Sequence, residues 1–359
     1  MLKKIVTLVC LALLIFAPIT AHSTSVAKQF QAAGSCFQSF PTYDAWIDLI
    51  RERNGWLKAW LISWRYDEDR FNDAVASVDC TVGVYRSFDG TSVQAFVVKP
   101  KHSPMSKPLP MVLYNRGGNQ GFGAITLAQL LDFIIPLSKK GYVVAATQYR
   151  GGSPRSEGVD EFGGRDVEDV LALGEIIADM PETNDNQRFM LGISRGAMNT
   201  FMALRDAPQN VIEKYRAVAV VGGLVDLVDM KKFRPEMERV YRALIPDYSS
   251  KEAEQLYTRS ASLWPERLPR HVAVLQIHGE DDERVSVQSA RTFSKRLDAN
   301  IESHHLKVFA GENHMIRGER EVVVATIDNW FKRHLNKAQS RSELPLNTKA
   351  VVKSITSND

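Results

Sequence analysis

The run Gly192-Ile193-Ser194-Arg195-Gly196 constrains this chain more than any other five residues in it. It is preceded by Gln187-Arg188-Phe189-Met190-Leu191, a short apolar stretch of strand type, and followed by Ala197-Met198-Asn199-Thr200-Phe201-Met202-Ala203-Leu204, which reads as a helix. A strand that becomes a helix within five residues needs a sharp, strained bend. Glycine on each side of Ser194 removes the Cβ atoms that would otherwise clash with the adjoining strand or helix. Such a bend lifts the serine oxygen above the sheet edge and aims the following helix N-terminus at it. Five residues of this kind also arise by chance, so their meaning depends on the surroundings.

Those surroundings alternate between strand and helix. Strands are expected at 111–115, 142–149, 217–221, 272–277 and 305–309, and helices at 125–140, 164–179, 286–298 and 320–335. Such alternation implies a parallel sheet covered on both faces. A hairpin precedes it, with Val82 and Val84 before an Asp89-Gly90 turn and Val93, Ala95 and Val97 after, and the proline-rich 101–109 segment reads as a loop. Segment 224–268 interrupts the series with a charged, helix-rich insertion, the natural lid. The expected fold is therefore α/β, of the α/β-hydrolase type: a mostly parallel, doubly wound sheet with a helical lid insertion, in which a Gly-x-Ser-x-Gly turn is the nucleophile elbow. Residues 22–42 read as irregular, and 43–64 as helical; together 22–77 form an N-terminal helical segment packing on a main domain that spans 78–336. Trp56, Trp60 and Trp64 recur four apart, the spacing of a face that docks on that domain.

Lys3 and Lys4, an apolar run over 5–19 and then Thr20-Ala21 have the form of a signal peptide spanning 1–21. The run is too short for a comfortable bilayer span. The expectation is an exported protein, periplasmic or secreted, with no stable membrane anchor after cleavage. The formal charge of +3 falls to +1 when the two leader lysines are removed, which gives no ground for nucleic-acid binding. With Cys10 lost in the leader, Cys36 and Cys80 remain, an even pair suited to one disulfide in an oxidising compartment. No His-Glu-x-x-His, cysteine cluster, dinucleotide loop or phosphate loop occurs, so neither a metal nor a cofactor is expected. The tail over 337–359 is polar and aperiodic and reads as disordered.

In this fold the acid and then the histidine follow the serine, each on a loop at the carboxyl end of a later strand. His278-Gly279-Glu280-Asp281-Asp282-Glu283-Arg284-Val285 and Gly311-Glu312-Asn313-His314 occupy those positions. His304 and His305 open their strand at the wrong edge and His278 precedes the acid, which leaves His314 as general base. Glu280, Asp281, Asp282 and Glu283 are not separable as the acid by charge alone. An oxyanion hole needs two aligned donors. The Arg195 N–H supplies one, and the glycine-rich loop 116–121 supplies the other.

Taken in order, Tyr85-Arg86-Ser87-Phe88-Asp89-Gly90, Asn115-Arg116-Gly117-Gly118-Asn119, Gln148-Tyr149-Arg150-Gly151-Gly152, 192–198, Arg259-Ser260, 278–285 and 311–314 resemble the catalytic α/β-hydrolase domain of the prolyl oligopeptidase family of serine peptidases. The resemblance covers about 78–336 and implies hydrolysis of peptide or amide bonds through an acyl-enzyme. It places the acid on Asp282, the nucleophile on Ser194 and the base on His314. Where the family often carries tyrosine or histidine, this chain has Arg116, so the second oxyanion donor is expected to be the Gly117 N–H, supplemented by the Arg116 side chain. The 22–77 segment is too short for the family's substrate-screening propeller, so ester hydrolysis of a small or polymer-linked acyl group stands as the alternative. A non-catalytic binding protein of the same fold is a more distant one. The expected partner is a small-molecule or peptide substrate, and the sequence does not set an oligomeric state. Arg150, Arg155 and Asp226, on loops at the same sheet edge, either hold a substrate carboxylate or brace the loops; Trp264 and Tyr241 either line the pocket or pack the lid.

Overall fold

In the computed structural model, which describes residues 30–102 and 107–335, the expected alternation becomes one nine-stranded sheet. The strands are β1 (Gln31–Ser35), β2 (Val78–Arg86), β3 (Ser92–Pro100), β4 (Leu109–Asn115), β5 (Val143–Thr147), β6 (Thr183–Ile193), β7 (Tyr215–Val221), β8 (Ala273–Gly279) and β9 (His304–Phe309). Their spatial order is β1-β2-β3-β5-β4-β6-β7-β8-β9. Pairing is antiparallel from β1 to β5 and parallel from β5 through β9. The expected leader (1–21) and tail (337–359) lie outside the described residues.

The helices are α1 (Tyr43–Asn54), α2 (Trp56–Arg65), α3 (Glu68–Ser77), α4 (Leu127–Gln129), α5 (Ile135–Lys139), α6 (Asp166–Ala178), α7 (Arg195–Asp206), α8 (Gln209–Ile212), α9 (Leu227–Phe233), α10 (Met237–Leu244), α11 (Glu252–Thr258), α12 (Val287–Leu297) and α13 (Arg320–His334). A π-helical turn, Leu130–Ile134, joins α4 to α5. The central strands are apolar on both sides because both faces are covered. Met111 and Leu113 of β4 enter the core shared with α6, α7, α12 and the insertion. Val112 and Tyr114 enter the core on the opposite face, with α5, α13 and the N-terminal helices.

The chain leaves β4 for β5 on one side and later passes to β6 on the other. β4 and β6 therefore flank the point where strand order reverses, and a crevice opens there beyond their carboxyl ends. Asn115 pairs in register with Gly192, so the loop after β4 and the turn after β6 meet at that crevice.

The amino-terminal part departs from expectation in three ways. Residues 31–35 form an edge strand rather than an irregular segment. Nothing in Gln-Ala-Ala-Gly-Ser alternates; the strand forms because its backbone pairs with β2. The Cys36–Cys80 disulfide and the Cys36 N–H bonded to Cys80 O at 3.0 Å fix it there. Closing a loop with a sequence separation of 44 removes unfolded-state entropy worth about 4 kcal/mol on the chain-entropy account. Next, the helical segment expected over 43–64 is two helices that meet at Gly55, and a third helix, capped by Asp67, follows.

The third departure concerns the tryptophan face. Trp56, Trp60 and Trp64 are 72%, 56% and 81% exposed and do not dock on the main domain. The contact is made instead by buried Trp46, Ile47, Ala59, Tyr66, Phe71 and Ala74. Helical spacing defines a stripe but not the side of the helix that meets the protein, and the break at Gly55 turns the Ala59 side of α2 inward. Of the six tryptophans, Trp46, Trp264 and Trp330 are buried. Acrylamide quenching should therefore resolve an accessible emission fraction that Trp56→Phe, Trp60→Phe and Trp64→Phe together abolish. A uniformly protected emission would contradict this placement of α2.

Candidate active site

β6 ends at Ile193 and α7 starts at Arg195, which leaves Ser194 at φ 55° and ψ −119°. A non-glycine residue held there stores roughly 1–3 kcal/mol of backbone strain. The turn closes only because its flanks are glycine. A Cβ at Gly196 would lie 1.9 Å from Asn115 O, and one at Gly192 would lie 2.5 Å from Gly196 O. The Ser194 N–H donates to Val221 O at 2.9 Å, and Ser194 O accepts from the N–H groups of Ala197 and Leu224 at 3.0 Å. The strained residue is thus pinned from β7 and from both following segments.

Asp282, after β8, and His314, after β9, come together as expected. His314 Nδ1 lies 2.7 Å from Asp282 Oδ2. A carboxylate facing Nδ1 fixes the hydrogen on that nitrogen and leaves Nε2 free to accept a proton. His314 and Ser194 line the same cavity. Gly222 lets the imidazole approach the β7 turn, since a Cβ there would stand 2.9 Å from the His314 ring.

His278, set aside as a base, has a place in the site. Its Nε2 lies 3.0 Å from Asp282 Oδ2 and 2.9 Å from Val285 O. Both partners are acceptors, so Nε2 carries the hydrogen. Asp282 Oδ1 accepts the backbone N–H groups of Arg284 and Val285 at 2.8 and 2.9 Å. Burial alone would raise the Asp282 carboxyl, but these hydrogen bonds and the nearby histidines outweigh it and hold the group well below the usual carboxylate range.

The two expected oxyanion donors sit beside Ser194. The first N–H groups of a helix have no carbonyl within it, and the Arg195 N–H opens α7. Across from it, a Cβ on Gly117 would be 3.0 Å from Ser194 Cβ. The Arg116 side chain is not placed to supplement them. It is buried and turned away, with its guanidinium bonded to the carbonyls of Gln148, Gly117, Phe122 and Gln120 at 2.7–3.2 Å. It shapes the loop that carries Gly117 and does not line the cavity.

The Arg195 side chain was not singled out by the sequence. Its buried guanidinium grips Asp160 through both oxygens at 2.7 Å, reaches Asp166 Oδ2 at 2.7 Å and donates to Gly118 O at 3.1 Å. Asp160 Oδ2 in turn accepts the Gln120 N–H at 2.6 Å. The first residue of α7 thus clamps the 116–121 loop from behind.

Neither Arg150 nor Asp226 lines the cavity that holds Ser194. Arg150 is buried between Asp169, at 2.7 Å, and Asp89, at 2.8 Å. It braces loops, because its guanidinium is committed to Asp169, Asp89 and Ser87. Asp226 caps α9 by accepting the Asp229 N–H at 3.0 Å. Arg155 is exposed and lies outside the cavity lining. Trp264 and Tyr241 pack the insertion into the core, where Arg205 sits 4.6 Å over the Trp264 ring.

The cavity over Ser194 measures about 800 Å³. The insertion supplies Met230, Arg234, Met237 and Val240 to it, and α2 supplies Lys58.

A carboxyl whose native value lies below its unfolded value adds stability that is complete above the unfolded value and is lost as pH falls through the native one. Asp282→Asn should therefore be less stable than the parent at pH 7, with the gap narrowing below about pH 4. Urea unfolding of both proteins at several pH values checks this; a gap that does not depend on pH contradicts it.

A family model described as the prolyl oligopeptidase family matches residues 131–338. An uncharacterised peptidase of Bacillus subtilis, YtmA, is 26% identical over 226 residues, which cover 61% of this chain and 82% of that protein. A probable dipeptidyl-aminopeptidase B of Aspergillus oryzae is 22% identical over 260 residues, covering 70% of this chain but only 27% of the fungal one. Among solved structures, a puromycin-hydrolysing peptidase of Mycobacterium tuberculosis superposes with a TM-score of 0.60 at 20% identity, covering 71% of this chain and 39% of that one. The acylaminoacyl peptidase of Pyrococcus horikoshii gives 0.60 at 18% identity, covering 74% and 43%. These two likenesses establish the fold, and the chain spans less than half the length of either solved protein. The family match takes in more than half of the 359 residues, and the chain belongs to the prolyl oligopeptidase family of serine peptidases.

Proposed function

We propose that this protein hydrolyses peptide or amide bonds through an acyl-enzyme on Ser194. The observation that carries the reading is the convergence, at one cavity, of a serine on a strained elbow and a histidine whose Nδ1 is held 2.7 Å from Asp282.

In this reading His314 Nε2 takes the Ser194 hydroxyl proton as Oγ attacks the substrate carbonyl carbon. The negative charge passes to the carbonyl oxygen and is stabilised by the Arg195 and Gly117 N–H groups. Collapse of the intermediate breaks the carbon–nitrogen bond, and His314 gives its proton to the leaving amine. A water molecule, deprotonated by the same nitrogen, then releases the acyl group and restores Ser194. Asp282 holds the imidazole in the required tautomer and stabilises the imidazolium that forms. His278 and two backbone N–H groups keep that carboxylate ionised and oriented.

Export is part of the proposal. The leader-like 1–21 segment and the Cys36–Cys80 disulfide both suit an oxidising compartment. The insertion over 224–268 acts as the wall that selects the acyl or amine group, since it supplies much of the apolar lining.

Aminoacyl and dipeptidyl 4-nitroanilides, with short-chain nitrophenyl esters alongside, test the mechanism. Ser194→Ala should lower kcat on every turned-over substrate by at least about 10³-fold, with little change in KM. Unchanged turnover in that variant would sink the mechanism, and turnover confined to esters would move the reaction class.

A further inference from the structure

Charge at the cavity is one-sided once its ion pairs are removed. Asp132 is its carboxylate, and it is already committed: Arg65 Nη2 lies 3.1 and 3.2 Å from its two oxygens, and the Tyr66 hydroxyl donates to it at 2.9 Å. Arg195 is neutralised by Asp160 and Asp166, and Arg234 by Glu236 at 2.8 Å. Three lining cations remain, Lys58, Arg284 and Arg317, and none has an ion-pair partner among the described residues.

Each comes from a different part of the fold and arrives beside the catalytic groups for its own reason. Arg284 lies two residues after Asp282, and its backbone N–H is bound by that carboxylate. Arg317 lies three residues after His314. Lys58 stands on α2, and the Arg65–Asp132 ion pair ties the end of that helix to the cavity floor. Their backbones are therefore fixed while their charged ends are exposed.

We propose that the cavity selects substrates carrying a carboxylate or similar anion, held by Lys58, Arg284 and Arg317, next to an apolar group seated against Phe122, Met230, Met237 and Val240. This inference rests on the reading of Ser194 as the nucleophile. Like charges facing a concave site with low-dielectric walls raise the local concentration of an opposite charge. A guanidinium can also bind a carboxylate through two parallel hydrogen bonds, which fixes orientation as well as position. The exposed state of the three groups makes the preference sensitive to salt.

A pair of aryl boronic acids that differ only in a free carboxylate tests this without needing a turned-over substrate. 3-Carboxyphenylboronic acid and its methyl ester both add reversibly to a nucleophilic serine, and their affinities are read from protection of the full-length protein against a neutral fluorophosphonate probe. The acid should bind about tenfold more tightly than the ester at low ionic strength, a gap of the size expected for a charge-assisted contact. The ratio should shrink towards one in 0.5 M salt, roughly the range where exposed pairs are screened, and in the Lys58→Gln/Arg284→Gln/Arg317→Gln variant. Equal binding of acid and ester by the parent, or a ratio that survives both salt and the triple substitution, would overturn the proposal. Failure of the probe to label Ser194 in the parent is a separate result that removes the nucleophile reading itself. The salt series on the parent stands even if the triple variant does not fold.

Discussion

The buried guanidinium of Arg195 is the interaction on which the arrangement of the site depends. A charge so deeply buried is tolerable only if it is paired and hydrogen-bonded. Here Asp160 and Asp166 supply that pairing, and Tyr149 and Phe162 lie within 5.3 and 4.6 Å of the guanidinium as aromatic neighbours. Burial alone pushes Asp160 up, but Arg195 and the hydrogen bonds around it hold its carboxyl below the ordinary range. Burial likewise opposes the charge on Arg195, yet the two carboxylates raise its pKa. Replacing Arg195 with an apolar residue would leave two buried carboxylates without the cation they share, a loss of about 3–5 kcal/mol.

That network also has a geometric consequence. Asp160 holds the backbone of Gln120 and Phe162, Asp166 holds Gly163, Gly164 and Asn199, and Arg195 itself holds Gly118. The 116–121 loop, the loop before α6 and the start of α7 are therefore tied into one unit behind Ser194. On the other side of the serine, Asp282 is gripped by four donors from the end of β8 and from the loops after β8 and β9. Ser194 sits between two hydrogen-bonded polar assemblies, and the insertion and α2 supply part of the remaining cavity wall.

Much of this was legible in the sequence because it rests on local pattern. Strand and helix alternation predicted the sheet, the two glycines predicted the elbow, and position at the carboxyl ends of strands singled out His314. Asp282 needed more: four adjacent acids carry the same charge, and only the family resemblance separated them. The features that escaped are those set by long-range pairing. β1 exists through backbone bonds to β2, and its side chains carry no signal. The Trp56–Trp60–Trp64 stripe was visible, but its direction depends on the turn at Gly55. Arg195 was noticed for its N–H, whereas its side chain matters through Asp160 and Asp166, about thirty residues upstream. His278 was set aside as a base, yet its position four residues before Asp282 at a strand end was a usable sign of contact. Arg150 shows the opposite case: a polar residue at the right sheet edge whose partners had already claimed it.

The central claim is that Ser194 is the nucleophile, and peptide mapping after treatment with diisopropyl fluorophosphate tests it most directly. Trypsin releases Ser194 in the peptide Phe189–Arg195, in which it is the sole hydroxyl-bearing residue. The account predicts one phosphoryl adduct per folded chain, located in that peptide and absent after prior unfolding. A folded protein that takes up no adduct, or takes it up in a different peptide, would contradict it.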